Sequence, residues 1–211
     1  MWSDLLVQAG MILFTIFMFL YMQNIPQKFF SKLRLRGQAN VQAKRHFIKG
    51  AQLYSQAKLA KDRSSTSSLA KSAEEEADVA IALDSKDAAA HILKALVLEL
   101  RGLKAAAIDT LDTALSPGLA RSLSGEERGD ALFKRAELRL AVSRRGQVDS
   151  AVEDLVESVK LKGDNARTYC LLGDSYKKKG MVEEAKKAYE DALKVQPTNS
   201  EAREELERLA S

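Results

Sequence analysis

The stretch that most constrains the fold lies near the carboxyl end, at residues 166–199, where small and aromatic side chains recur with helical spacing. Residues three and four apart share one face of an α-helix. Two such faces follow each other: Tyr169, Leu172, Gly173 and Tyr176, then Ala185, Ala188, Tyr189, Ala192 and Leu193. Gly180 suits the left-handed end of the first helix, and Pro197 ends the second. The pattern predicts two antiparallel helices that approach closely at Gly173 and Ala185.

This stretch resembles a tetratricopeptide repeat, a 34-residue unit with the pattern W-x2-L-G-x2-Y, then A-x3-F, then A and P. The matching residues are Tyr169, Leu172, Gly173, Tyr176, Ala185, Tyr189, Ala192 and Pro197. The two departures replace tryptophan and phenylalanine by tyrosine, so both positions keep an aromatic ring. A chance amphipathic hairpin is the alternative, and eight positions in register argue against it. The resemblance implies an all-α fold, an antiparallel helix-hairpin solenoid that winds into a superhelix.

A single hairpin cannot bury its apolar face alone, so further repeats are expected upstream. Aligning Gly146 and Gly102 with Gly180 produces two weaker units. Their matching residues are Leu138, Val142, Ala151, Leu155 and Ser158 in one, and His91, Ala95, Leu98, Ala107, Leu111 and Ala114 in the other. Arg135 and Arg139 occupy the slots of the large aromatic residue and the glycine, so that unit is degenerate.

The first repeat is the faintest. Its residues are Gly50, Leu53 and Tyr54 in one helix and Ala73, Ala77 and Ala80 in the next. A serine run at 64–68 separates them and is interpreted as a flexible break. Residues 119–130 are interpreted as a loop insertion between the second and third repeats, where solenoids tolerate insertions.

The predicted domain therefore has four helical hairpins over residues 39–197, followed by a capping helix at 198–211. Two capping boxes mark helix starts. In a capping box, the side chain of a serine or threonine accepts a hydrogen bond from the backbone amide of a glutamate three positions later, and the glutamate side chain accepts one from the amide of the serine or threonine. The two boxes are Ser124 with Glu127 and Thr198 with Glu201. The last helix has one apolar face and one charged face, as the end of a repeat stack requires.

Residues 5–22 contain no charged side chain. Eighteen helical residues span roughly 27 Å, close to the hydrocarbon thickness of about 30 Å, so the sequence predicts a single N-terminal transmembrane helix. A cleaved signal peptide needs a basic start and a small-residue cleavage site, whereas this chain begins Met-Trp-Ser-Asp. A signal peptide and an amphipathic surface helix are the alternatives.

Charge is distributed unevenly along the chain. Nine of its 33 cationic residues and one of its 29 anionic residues lie at or before Lys61, which leaves 24 cations and 28 anions in the repeats. The cations therefore lie beside the predicted membrane span, where anionic headgroups attract them. This position argues against nucleic acid as a partner, and the positive-inside rule places the repeats in the cytosol.

Residues 23–38 are predicted to be a basic juxtamembrane linker. Its cations are interleaved with aromatic rings, a mixture that suits the membrane interface. The residues expected to contact the membrane surface are Lys28, Phe29, Phe30, Lys32, Arg34 and Arg36. A plain linker without surface contact is the alternative.

The sequence offers little for catalysis or metal binding. His46 and His91 lie far apart, and neither has a ligand residue at metal-binding spacing. The sequence contains no nucleophile-elbow, P-loop or dinucleotide motif. We therefore expect no enzymatic activity, no cofactor and no metal. The single cysteine, Cys170, forms no intramolecular disulfide and is expected to be a packed or groove-edge side chain.

The resemblance further implies that a protein or peptide partner binds in a concave groove lined by the first helix of each repeat. The residues projected onto that groove are Ile92, Leu96, Glu99, Phe133, Ala136, Leu140, Arg144, Arg167, Cys170, Asp174 and Lys177. Some members of the family bind acidic chaperone tails through a clamp of Lys, Asn, Asn, Lys and Arg. The corresponding residues are Phe47, Ala51, Leu93, Phe133 and Ala136, so this activity is not expected.

The sequence-based hypothesis is a single-pass membrane protein whose cytosolic repeats act as a docking adaptor or receptor. The basic flank is similar to that of import receptors in the mitochondrial outer membrane, and the endoplasmic reticulum fits equally well. A different hypothesis is a structural or assembly subunit of a membrane protein complex. A third, a repeat domain inside an organelle, requires the charge rule to fail.

Overall fold

The computed structural model describes residues 25–142 and 146–210, with side chains at 39–142 and 146–209. This part of the chain forms α-helices and one short 3₁₀-helix and no strand, which confirms the all-α prediction for it. The helices are α1 Ile25–Leu59, α2 Arg63–Leu83, α3 Ala88–Leu100, α4 Lys104–Ala114, α5 Gly125–Val142, α6 Gln147–Leu161, α7 Ala166–Lys178, α8 Val182–Val195 and α9 Ser200–Ala210. The 3₁₀-helix is Ala120–Ser122, between α4 and α5.

The helices pair in order along the chain. Helix α1 packs on α2, α3 on α4, α5 on α6 and α7 on α8, while each pair also contacts the next and α9 packs on α8. Alanines dominate the seams and are almost fully buried; they include Ala57, Ala73, Ala77, Ala107, Ala114, Ala151, Ala185 and Ala192. Because alanine has only a methyl side chain, the helices can approach closely, and the result is a repeat solenoid.

The turns inside the second, third and fourth hairpins each contain a glycine with a positive φ angle. Gly102, Gly146 and Gly180 have φ angles of 80°, 83° and 74°, in the left-handed region. Only glycine adopts this region without a steric cost, and it is the usual residue at this end of a helix. The three glycines used to align the repeats are therefore structurally equivalent.

A close helix contact stabilises the last hairpin. A Cβ atom on Gly173 would lie 2.6 Å from Cε1 of Tyr189, so the tyrosine ring occupies the space that a larger residue would need. Tyr189 is fully buried, and its hydroxyl donates a 2.7 Å hydrogen bond to Oδ1 of Asp174. Burial and the bond to Asp174 raise the pKa of the Tyr189 hydroxyl, so it stays a donor.

The third hairpin replaces this contact with ion pairs. Asp154 on α6 is buried, and Arg135 and Arg139 on α5 both reach it. Arg135 donates to Asp154 through Nε at 2.8 Å and Nη2 at 2.5 Å, and Arg139 donates through Nη1 at 2.9 Å. Both guanidinium groups also pair with Asp112 on α4. The slots of the aromatic residue and the glycine thus hold a charged cluster that joins three helices.

The structure differs from the sequence-based expectations at the first hairpin. Helix α1 begins at Ile25, so the backbone of the predicted linker 23–38 is helical from residue 25 and continues into the repeats. The serine run at 64–68 is not a flexible break, because it lies within α2. Asp62 precedes α2 and accepts a 2.7 Å hydrogen bond from the amide of Ser65, which lets the helix start before the serines.

Two other helix starts were predicted, and one is corrected. Ser124 and Glu127 form the expected capping box, with the Ser124 amide donating to Glu127 at 2.8 Å and the Glu127 amide donating to Ser124 Oγ at 3.2 Å. The insertion at 119–130 is therefore largely ordered, since α5 begins at Gly125. At the last helix, Asn199 accepts a 2.9 Å hydrogen bond from the amide of Ala202, so Asn199 rather than Thr198 is the cap.

The predicted transmembrane helix, residues 5–22, lies outside the described residues. Among those that are described, no helix combines the length and the apolar content that a membrane crossing requires.

Candidate functional site

An open groove of about 560 Å³ runs across the first helices of the first three hairpins. Its apolar lining residues are Phe47, Ala51, Tyr54, Ala89, Ile92, Leu93, Leu96, Leu123, Ala131 and Phe133, and its polar ones are Ser55, Glu127, Asp130, Lys134 and Asn165. Helices α1, α3 and α5 supply nearly all of them. The groove exists because these helices turn one half-buried apolar face towards each other while the opposite faces pack on α2, α4 and α6.

A row of ion pairs borders the groove beside α3, α5 and α7. Lys134 on α5 lies 3.2 Å from Oε2 of Glu99 on α3 and 2.6 Å from Oε2 of Glu137. Glu137 also pairs with Arg167 on α7. Burial lowers the pKa of Lys134, but its contacts with Glu137 and Glu99 outweigh burial and raise it overall, so Lys134 stays charged.

The carboxylates at the other edge are also engaged within the chain. Asp130 accepts hydrogen bonds from Nζ of Lys162 at 3.0 and 2.9 Å. Glu127 Oε2 accepts bonds from the amide and hydroxyl of Ser124 at 2.8 and 2.9 Å, which lower the pKa of this carboxyl. Lys134 and Asp130 therefore already have partners of opposite charge, while Glu127 is held by the neutral amide and hydroxyl of Ser124.

Three of the projected groove residues line this cavity: Ile92, Leu96 and Phe133. Glu99 lies at its border through the pair with Lys134. The insertion at 119–130 contributes Leu123, Glu127 and Asp130 to one edge, so in the structure it borders the groove and leaves it open.

Other projected residues lie elsewhere. Ala136 is fully buried and Cys170 is 2% exposed, so neither presents a side chain to a ligand, which corrects the projection. Leu140 packs against the buried cluster that contains Ala136, Ala151 and Val152. Arg144 lies outside the described residues.

The projected residues on α7 form internal contacts instead of lining the cavity. The guanidinium carbon of Arg167 lies 5.6 Å from the ring centre of Phe133, so this side chain covers one face of a groove residue. Asp174 accepts the hydrogen bond from Tyr189, and Lys177 pairs with Glu205 on α9. Next to the groove, the fourth hairpin therefore contributes the Arg167 side chain over the Phe133 ring, and Asn165 before α7 joins the lining.

Cys170 is not a reactive thiol. Burial, followed by the nearby carboxylates of Glu201 and Asp174, raises the pKa of the Cys170 thiol to about 11. The thiolate is the nucleophilic form of cysteine, so Cys170 contributes packing at neutral pH.

Helix α1 supplies the groove residues that the projection missed. Phe47, Ala51 and Tyr54 line the cavity, although the sequence singled out Phe47 and Ala51 only as clamp slots. Their spacing of four and three residues places them on one helical face, which was the available signal. The projection omitted α1 because the first repeat matches the family pattern too weakly to fix its register.

Each of the two histidines contacts a neighbouring group of the chain, and neither belongs to a cluster of metal-ligand side chains among the described residues. Nδ1 of His46 lies 2.6 Å from Oε2 of Glu76, whose other oxygen pairs with Lys49 at 2.6 Å. Nε2 of His91 lies 3.4 Å from the carbonyl oxygen of Ser85. Within the described ranges, no three histidine, cysteine or carboxylate side chains come together as metal ligands.

Comparison with known proteins agrees with this architecture. A family model described as tetratricopeptide repeat matches residues 166–199. No curated protein matches the sequence of the chain.

Several solved structures share the fold. A crystal structure of MamA is 24% identical, with a TM-score of 0.54, and the match covers 72% of this chain and 80% of that one. The pilF protein of Pseudomonas aeruginosa is 18% identical, with a TM-score of 0.60, over 82% of this chain and 68% of that one. The first repeat domain of Spaghetti (RPAP3), bound to the HSP90 peptide SRMEEVD, is 24% identical, with a TM-score of 0.51, over 60% and 93%.

The family model and the solved structures indicate the same kind of fold. The family model covers the fourth hairpin, and the solved structures cover most of the described helices. Residues 166–199 therefore form a tetratricopeptide repeat, and the described part of the chain has the all-helical solenoid fold of proteins built from such repeats.

Proposed function

We propose that this chain is a non-enzymatic, membrane-anchored adaptor or receptor that holds a partner protein in the groove across α1, α3 and α5. Folds of this kind generally act as interaction scaffolds. The observation that carries the proposal is the apolar floor of that groove, where Phe47, Ile92, Leu96 and Phe133 remain partly accessible. Partly accessible apolar surface in a concave site is typical of ligand and peptide binding.

The proposal excludes the ligand type seen in one structural neighbour. The Spaghetti domain is bound to a peptide with two glutamates and a terminal aspartate. In this chain the clamp slots are apolar or buried, and the cation that lines the groove, Lys134, is already paired with Glu99 and Glu137. An acidic tail at the described lining would have to lose its hydration and would meet Lys134, a cation that is already paired.

The test is affinity capture of the full chain from its native cells, comparing wild type with Leu96→Glu and Val182→Glu. A carboxylate on the groove floor must be buried on binding, which is strongly unfavourable. Co-purifying proteins should fall at least tenfold with Leu96→Glu. Val182 is 42% exposed on α8, away from the groove, so Val182→Glu serves as the matched control and should leave capture unchanged.

A second candidate function is a structural or assembly subunit. Val41, Ile48 and Leu59 on α1 are 53%, 54% and 81% exposed, which is unusual for large apolar side chains and favours a packed neighbour. In the same experiment, a loss of capture with Ile48→Glu and not with Leu96→Glu would favour the structural subunit and contradict partner binding in the groove.

Residues 5–22 are proposed to anchor the protein, with the repeats in the cytosol at the endoplasmic reticulum or the mitochondrial outer membrane. The uncharged run and the cations after it support this topology. After carbonate treatment of isolated membranes, the chain should stay in the membrane pellet, and a tag after Ser211 should be digested by external protease. A protected tag, or release by carbonate, would contradict the anchor or its orientation.

A further inference from the structure

We infer that the groove takes an amphipathic helix of the partner protein, through an uncharged apolar face, and does not take an extended peptide. The inference rests on the proposed function and specifies the ligand of the same groove. It is carried by two features of the lining: the distribution of hydrogen-bonding groups and the pairing of the charges.

Hydrogen-bonding groups are absent from the side chains of the groove floor. Phe47, Ala51, Ile92, Leu96 and Phe133 offer neither donors nor acceptors, so hydrogen bonds from the described lining come from Tyr54 and from the polar residues Ser55, Glu127, Asp130, Lys134 and Asn165. Three helices packed about 8–10 Å apart give a groove roughly 20 Å across. An extended peptide crosses that distance with about six residues, each carrying a backbone donor and acceptor that must find a partner.

A helix avoids this difficulty. Its backbone groups bond to each other, so it can place an apolar side-chain face on an apolar floor without leaving donors or acceptors unsatisfied. About thirteen helical residues cover the same 20 Å at 1.5 Å per residue. Apolar anchors that continue the i, i+3/i+4, i+7 spacing to i+11, about 16 Å along the helix, would then lie over α1, α3 and α5 in turn.

The charges determine which helix face fits. Lys134, Glu99, Glu137 and Arg167 form a connected row of ion pairs, and Asp130 pairs with Lys162. A charged group of the ligand above the apolar floor would have to break one of these pairs or lie beside a neutralised one. Glu127, which is held by the neutral amide and hydroxyl of Ser124, could accept a cationic side chain only at the insertion. The contacting face is therefore uncharged, while charges on the opposite face remain in water.

Tyr54 can orient such a helix. It lines the groove, and burial, followed by the nearby Glu99, raises the pKa of its hydroxyl, so this group stays protonated. The side chain of Lys58 lies over the ring, with Nζ 5.7 Å from the ring centre. The Tyr54 hydroxyl can donate to a free carbonyl at the last turn of a bound helix, where four carbonyl groups lack partners in the helix.

The experiment uses two synthetic fifteen-residue peptides of identical, uncharged composition. One places its leucines at helical spacing and the other alternates them as in a strand. A third peptide is the helical one with a single proline at its centre, which breaks the helix. Binding to the full chain in mild detergent is measured by fluorescence anisotropy, with empty micelles as the blank and with Leu96→Glu and Val182→Glu in parallel.

The helical peptide should bind wild type and Val182→Glu with equal affinity and should bind Leu96→Glu at least tenfold more weakly. Its affinity for wild type should be at least tenfold higher than that of the alternating and proline peptides. Leu96→Ala should lower the affinity for the helical peptide three- to tenfold. This milder variant keeps the test decisive if Leu96→Glu perturbs the fold. Equal binding of the alternating or proline peptide would overturn the inference. So would a mass increase of the chain that disappears with Leu96→Glu, because a second copy would then occupy the groove.

The two proposals fail in distinguishable ways. If none of the peptides binds while Leu96→Glu still abolishes capture of partner proteins, the groove binds partners in another form, and only the inference on the helix is wrong. If Leu96→Glu changes neither measurement, the groove is not the binding site and the proposed function is wrong.

Discussion

Replacing Gly173 by alanine is expected to destabilise the fourth hairpin by about 2–3 kcal/mol, because overpacking a well-packed contact typically costs ~1–3 kcal/mol. The new Cβ would lie 2.6, 2.7 and 2.9 Å from three ring atoms of Tyr189. The ring cannot simply rotate away, since Tyr189 is fully buried and its hydroxyl is bonded to Asp174. Thermal unfolding followed by circular dichroism should show a midpoint lower by roughly 5–10 °C.

Gly118 provides the matched control. A Cβ there meets no atom within 4 Å, and its φ is not positive, so Gly118→Ala should be neutral or slightly stabilising. A double-mutant cycle with Tyr189→Leu identifies the contact, because Gly173→Ala should cost much less once the ring is gone. Equal costs in both backgrounds would show that the tyrosine ring is not the obstacle.

Replacing Asp154 by alanine is expected to cost about 3–5 kcal/mol, the usual range when one member of a buried ion pair is removed. Arg135 and Arg139, both with side chains only 15% exposed, would keep their charges but lose three hydrogen bonds from their guanidinium groups to that carboxylate. Asp112, which is 45% exposed, cannot satisfy both groups. Urea unfolding should show a lower midpoint, with loss of the third hairpin and of the groove wall that α5 supplies.

Asp149 on the same helix is the control. It pairs with Lys179 at 2.6 Å but is 66% exposed, so Asp149→Ala should cost no more than about 1 kcal/mol. A second variant separates charge from packing: Arg135→Met, Arg139→Met and Asp154→Leu together replace the cluster by apolar groups and should recover most of the lost stability. A combined variant no more stable than Asp154→Ala would contradict this account.

The hairpins themselves could be predicted from the sequence because their signals are local. Helical spacing of the apolar residues, the left-handed glycines Gly102, Gly146 and Gly180, and the capping box at Ser124 all act within a few residues. Local patterns of this kind hold whatever the hairpin packs against. The prediction was wrong where the local signal was ambiguous: the serines at 64–68 favour turns as well as helix starts, and the cap at Asp62 decides for the helix.

The groove could be located only in part. The projected residues Ile92, Leu96 and Phe133 on α3 and α5 line the cavity, since helical periodicity indicates which side chains share a face. Ala136 and Cys170 were placed on the wrong surface because a projection does not say how far the neighbouring helix covers that face. The contribution of α1 was missed, since the first repeat lacks the residues that would fix its register.

The sequence by itself thus determined the class of fold, the order of the hairpins and the positions of their turns, because these depend on spacing and on the backbone freedom of glycine. Only the tertiary structure decided which faces remain open and which charges neutralise each other. Arg135 and Arg139 looked like defects in a repeat until the fold placed Asp154, nineteen and fifteen residues away, between them. Such pairings depend on how helices pack in three dimensions, and no local pattern records that.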